Sequence, residues 1–285
     1  MTVEQALDSI SAGSTPIRLY DIDIGADTIA AIERMGSLLG RETSEPRRKE
    51  LVSLIEHFNP GGRWIREPRI VAALLRGGRA RMDGAAEDAM ERLVVKATPD
   101  ALAGFHSEIL RVVAAKPTPA ALLLVARAKP SGAFSALKAV AVADPASKEL
   151  VEWKIAMAAA GDQGRVKAFA QAFVSATDPR EKQRLAKILG LIGTRQALKV
   201  LAAEFRTPMV YRLGRVFQEP VWVDIAKALH DNFPDRNLPM VPNSMEAYLL
   251  YEAFCEKQFG IRWWSDRPPF ERSGPLEHGF SPAPE

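Results

Sequence analysis

The chain is poor in cysteine, in aromatic side chains and in unbalanced charge. Cys255 is the single cysteine among 285 residues, which excludes a disulfide scaffold and fits a reducing compartment. Aromatic residues make up 7% of the chain, and net charge is only +3 from 38 basic and 35 acidic residues. That near balance is no nucleic-acid signature by itself, and with 47% hydrophobic residues it excludes a disordered chain. No charge-free apolar run approaches the ~18 residues that a membrane span needs. The opening Met1-Thr-Val-Glu-Gln-Ala-Leu-Asp8 has neither a basic n-region nor an apolar h-region, so the expected location is cytoplasmic, without a membrane.

What is present is helix. Val, Ile, Leu and Ala recur at three- and four-residue spacings, and alternating β-branched stretches are almost absent. Pro16–Ile24 is the one candidate extended segment. Thr98-Pro99, Thr118-Pro119, Asp144-Pro145 and Asp178-Pro179 each place a capping oxygen before proline. There the side chain accepts an orphan N–H, and proline lacks the next one. Glu219-Pro220 is a weaker version, and Asn243-Ser-Met-Glu246 reads as a capping box. Gly161, Gly190 and Gly193 fall where helices are expected to stop. Units thus begin near Asp83, Lys116, Asp144, Asp178 and Thr207, a period of roughly thirty residues that suits stacked helical hairpins. A lone hairpin cannot bury its apolar face, whereas stacked neighbours share a core.

The clearest unit runs from Asp178 to Leu201. It has an Asp-Pro start at Asp178-Pro179, then Arg184 and Ala186, then Leu189-Gly190, Ile192-Gly193, Ala197-Leu198 and Leu201. This pattern resembles a HEAT repeat of the short bacterial type, which also occurs in phycobilin lyases. The preceding unit resembles it more loosely: Asp144-Pro145 opens it, Ala158–Asp162 turns it, and Val166, Phe169 and Phe173 continue the stripe. Leu150 stands where the pattern has Arg. The resemblance implies an all-α fold, an α-solenoid of HEAT-like helical hairpins with helical caps and 13 to 15 helices. It also implies that the Asp and Arg of a unit tie adjacent hairpins, and that the glycines permit the tight turn. The expected organisation is an N-terminal helical cap or degenerate repeats over 1–82, HEAT-like repeats over 83–208, a C-terminal helical cap over 209–264 and a Pro-rich extended tail over 265–285.

Few residues are arranged for chemistry. His57, His106, His230 and His278 are not paired at helical spacing and do not neighbour the cysteine, so no metal site is expected. Gly61-Gly62-Arg63 and Gly77-Gly78-Arg79 lack the Lys-Ser/Thr of a phosphate loop and read as helix-terminating loops. Asp21-Ile-Asp23 is a common turn pair, and no serine lies in an elbow motif. Cys255 falls on an amphipathic helix beside Phe254 and reads as a buried, inert thiol. No cofactor is expected.

Surface chemistry is more telling. From Arg41 to Arg81 ten basic residues face five acidic ones, an excess of five positive charges that includes Arg63, Arg66, Arg79 and Arg81 around Trp64. Such a stretch suits an acidic protein or phosphates with base stacking, or else a solvated face in which Glu67 pairs with Arg63 or Arg66. The leading expectation is a non-enzymatic protein–protein interaction scaffold or adaptor. Its partner-binding candidates are Arg165, Lys167, Arg195 and Lys199 on second helices, the N-terminal arginines, and Trp263 and Trp264. The alternative is a nucleic-acid-binding HEAT-like protein using Arg41–Arg81. A DNA-glycosylase-like reading would need Trp222 and Asp224 on one helix face, but two residues along a helix point about 200° apart. Trp222 therefore reads as core with Ile225, Ala226 and Leu229. Tyr248, Tyr251, Phe254, Phe259, Trp263, Trp264 and Phe270 crowd the C-terminal end, as either an aromatic cap or a docking element.

Overall fold

Local capping chemistry places most of the helices. In a computed structural model of the chain, Thr98, Thr118 and Asp178 accept from the backbone N–H of Ala101, Ala121 and Glu181, each with proline at the first helical position. The structure describes residues 28–60, 64–207, 209–213, 217–242 and 244–263, together with Gln5, Asp8, Ser9 and Ala12. Among these the class is all-α, with fourteen α-helices, two 3-10 turns and one short two-stranded ribbon. Pro16–Ile24, Asp21, Asp23, the Gly61–Arg63 turn, His278 and the 265–285 tail lie outside the described residues. No helix among the described residues is long and apolar enough to cross a membrane.

The chain divides into two compact units, 1–160 and 161–285. In the first, the helices are α1 (Thr28–Leu39), α2 (Glu45–His57), α3 (Pro68–Ala80), α4 (Gly84–Lys96), α5 (Pro99–Ala103), α6 (His106–Ala115), α7 (Pro119–Ala128), α8 (Ala133–Ala143) and α9 (Val151–Ala159). Helices α1, α3, α4, α7 and α9 form a row in which each packs on the next. Helix α2 lies against α1, α3 and α4, and α6 lies against α7 and α8. Helix α1 shows why: Ala31, Ile32, Met35, Gly36 and Leu39 fall on one face and are buried, while Glu33, Arg34 and Ser37 are exposed. Full burial of Ile32, Met35 and Leu39 stabilises by about 1.5–3 kcal/mol each.

The second unit holds α10 (Gln163–Ser175), α11 (Pro179–Ile192), α12 (Arg195–Ala203), the ribbon of β1 (Val210–Leu213) and β2 (Phe217–Pro220), α13 (Val221–Asn232) and α14 (Met245–Phe259). The ribbon is antiparallel, with Val210 opposite Pro220. First helices pack together (α11 on α13), as do second helices (α10 on α12, α12 on α14). Trp222, Ile225, Ala226 and Leu229 are buried, as the periodicity of α13 requires.

Several local expectations are corrected. Gly77 and Gly78 lie inside α3 and Gly190 inside α11. A Cβ on Gly190 would stand 2.6 Å from the Ala228 Cβ and 3.3 Å from its Cα, so this glycine serves close packing of α11 on α13. Gly193 does end a helix, at φ 58°, and Gly161 has φ 110° just beyond α9. Asp144-Pro145 opens a 3-10 turn with no side-chain cap, and α9 begins later. Pro220 itself precedes α13, with Glu219 in the ribbon, and α14 is capped by Ser244, which accepts from the Ala247 N–H at 3.2 Å.

Candidate functional site

The N-terminal arginines divide into structural and exposed groups. Arg48 is buried, at 1% exposure. Its Nη2 donates to the Gly77 carbonyl at 2.7 Å and the Arg81 carbonyl at 3.1 Å, at the C-terminal end of α3. There a cation meets the negative end of the helix dipole. Its Nη1 lies 3.3 Å from Asp83, whose other oxygen caps α4 by accepting from the Ala85 and Ala86 N–H groups. Arg81 is exposed yet donates to the Thr43 carbonyl at 2.8 Å. Arg47 pairs with Glu42, Lys49 with Glu45, and Arg69 with both Glu33 and Glu67. Glu67 thus pairs with Arg69 and not with Arg66, and its carboxylate also caps α3. Arg66 is exposed ahead of α3, Trp64 is half-buried, and Arg63 and the Arg79 side chain lie outside the described residues.

One basic feature emerges in their place. Ala30, Glu33, Arg34, Ser37 and Leu38 of α1, Arg41 in the turn just beyond it, and Arg76 from α3 line an open groove of about 610 Å³. Arg34, Arg41 and Arg76 are all exposed. The Arg76 Nη1 donates to the Ser37 hydroxyl at 3.0 Å, and that hydroxyl donates to the Glu33 carbonyl at 2.9 Å. The two helices approach closely because Gly36 faces Ala73: a Cβ on Gly36 would stand 2.6 Å from the Ala73 Cβ. Arg34 escapes a reading that begins its charge count at Arg41. The available signal is spacing, since Ala30, Arg34, Ser37 and Arg41 recur at helical intervals on one face.

The other sequence candidates separate. Arg165 is half-buried and pairs with Asp162 at 3.1 Å. Lys167, Arg195 and Lys199 are exposed, the last two one turn apart on α12, the helix on which α10 packs. Arg184 is exposed and pairs with Glu181 of its own helix at 2.6 Å, while the Asp178 carboxylate caps α11. Helix α13 is linked to α11 by Asn232, whose Nδ2 donates to the Gly190 carbonyl at 2.8 Å, and by buried Asp224, which pairs with Lys187 at 3.7 Å.

At the C-terminal end, Tyr248 and Tyr251 are buried, Phe205 stacks on both, and Trp222 meets Tyr248 edge-on. Trp263 is partly buried, with the Arg206 guanidinium 4.7 Å above its ring and Arg206 itself paired to Glu252 at 2.6 Å. Trp264 and Phe270 lie outside the described residues. Cys255 is buried, and desolvation, with Glu252 nearby, pushes its thiol up to about 12. Among the described residues no three His, Cys, Asp or Glu side chains gather as metal ligands. A comparison of the chain with protein-family models, curated proteins and solved structures found no match.

Proposed function

We propose that this protein is a non-enzymatic interaction scaffold, an α-solenoid of HEAT-like hairpins that binds an acidic segment of a protein partner. The solenoid reading is supported by the second unit, where α11 packs on α13, α10 on α12 and α12 on α14. The binding reading rests on the groove between α1 and α3, where Arg34, Arg41 and Arg76 surround a floor that includes Ala30 and Leu38. Guanidinium forks favour carboxylates, and a part-apolar floor adds burial. On the second unit, Lys167, Arg195 and Lys199 are a further contact surface in this reading.

The nucleic-acid alternative draws less support from the same residues. Much of the five-charge excess over 41–81 is engaged internally: Arg48 and Arg81 hold backbone carbonyls, and Arg47, Lys49 and Arg69 meet carboxylates. The groove also has Glu33 in its lining and, among the described residues, no aromatic there, whereas sequence-tolerant strand binding uses a continuous basic track with stacking rings.

Fluorescence anisotropy decides between them. The full chain is titrated into a labelled Glu/Leu peptide and, separately, a labelled single-stranded oligonucleotide. The proposal expects peptide binding that is lost in R34E/R41E/R76E. Tighter oligonucleotide binding with a steep logarithmic salt slope would install the alternative.

A further inference from the structure

We infer that the outward face of α14 is a self-association surface, on which a second copy of this chain packs its own α14 antiparallel about a two-fold axis. The face belongs to the second unit and does not depend on the arginine groove or on what binds there. Helix α14 has apolar side chains on two sides. Ala247, Tyr248, Tyr251, Cys255 and Phe259 are buried. Tyr251 donates to the Ala226 carbonyl of α13 at 3.1 Å, and the helix lies against α12. On the opposite side Leu249 and Leu250 are 45% and 55% exposed, and Ala253 is exposed one turn further on. Adjacent leucines in water are out of place there. Helix α14 is the last helix among the described residues, and the end of a helical stack turns a polar face outward unless something covers it.

The charges around that patch identify its occupant. Glu246, Leu250, Ala253 and Lys257 follow one another at spacings of four, three and four, the seam of a coiled-coil helix pair. Glu246 and Lys257, at the two ends of the seam, are exposed, and among the described residues neither forms an ion pair. The pairs Glu246 with Lys257 and Leu250 with Ala253 share one midpoint, between Tyr251 and Glu252. A two-fold axis through that point sets Leu250 of each copy over Ala253 of the other, and Glu246 of each opposite Lys257 of the other. The small Ala253 side chain gives the facing leucine room. A parallel pair would set Glu246 against Glu246 and Lys257 against Lys257, at a like-charge cost. An unrelated partner has no reason to match this register, whereas a second copy meets it by symmetry. Contact confined to one helix face falls below the about 1,200 Å² of a standard stable interface, so the dimer is weak and reversible.

Sedimentation velocity of the full chain, from about 1 to about 500 µM, tests this. The inference expects a monomer that converts reversibly to a dimer across that range. L250E, checked by circular dichroism for an unchanged helical signal, is expected to remain monomeric. E246K makes both ends of the seam basic, and K257E makes both acidic. Each variant alone should associate at least about fivefold more weakly than wild type, and an equimolar mixture of the two should recover a dimer of wild-type strength or better. A chain that is monomeric at every concentration would overturn the inference, whether the patch is covered by the chain itself or kept for another protein. A dimer that survives L250E would overturn it too, as would single reversals without effect or a mixture that recovers nothing.

Discussion

The guanidinium of Arg48 and the carboxylate of Asp83, 3.3 Å apart, join the end of α3 to the start of α4 beneath α2. Arg48 satisfies two carbonyls at a helix C-terminus, and Asp83 satisfies two amides at a helix N-terminus. Opposite ends of two helix dipoles are thereby neutralised by one buried pair.

Truncating that pair leaves a carboxylate and two carbonyls without their cation. Arg48→Ala is expected to cost about 3–5 kcal/mol, the range for removing one partner of a buried ion pair. Equilibrium denaturation in urea measures it, and a loss below about 1 kcal/mol would mean that water replaces the guanidinium at no cost.

Helix contact at two glycines is the second test. Gly36→Ala and Gly190→Ala each place a methyl 2.6 Å from an alanine Cβ on the facing helix. Each is expected to cost about 1–3 kcal/mol through forced separation of the helices. Gly36→Ala should also weaken peptide binding, because it widens the α1–α3 groove, whereas Gly190→Ala should leave it unchanged. Paired melting and anisotropy measurements separate the two effects.

The repeat pattern assigns an inter-hairpin tie to Arg184, whereas the structure has Asn232 reaching Gly190. Arg184→Ala removes an exposed pair and is expected to change stability by less than about 1 kcal/mol. Asn232→Ala forfeits bonds to the Gly190 and Ala228 carbonyls and should cost about 1–2 kcal/mol. The reverse order would restore the tie to Arg184.

Cys255 provides a pH test. With its thiol pushed up to about 12 by burial, the folded chain should resist a disulfide reagent at pH 8 and react on unfolding. The sign for stability follows from linkage. Below about pH 9 the thiol is neutral in both states and contributes no pH dependence. Between about 9 and 12 only the unfolded chain ionises it, so stability falls as pH rises. Prompt labelling of the native chain at pH 8 would contradict the burial.

Helix starts were legible because an N-cap followed by proline is chemistry confined to a few residues, as at Thr98, Thr118 and Asp178. Gly190 was misread because its reason is Ala228 on another helix, which local sequence does not display. The ribbon at 210–220 gave no alternating signal and was missed altogether. The candidate site was half legible. Charge counting marks the stretch that holds Arg41 and Arg76, but it weighs buried Arg48 equally with exposed Arg76, and burial separates them. Arg34 lay outside the counted stretch, although its heptad spacing to Arg41 was there to be read.

The claim that the arginine groove is the working surface is tested most directly by tagged capture from nuclease-treated lysate of the source cells, read by mass spectrometry. Wild type, R34E/R41E/R76E and R195E/K199E are compared side by side. The account predicts a defined set of proteins with acidic segments that is captured by wild type and by R195E/K199E and lost with the groove variant. Capture that survives reversal of all three groove arginines would contradict it.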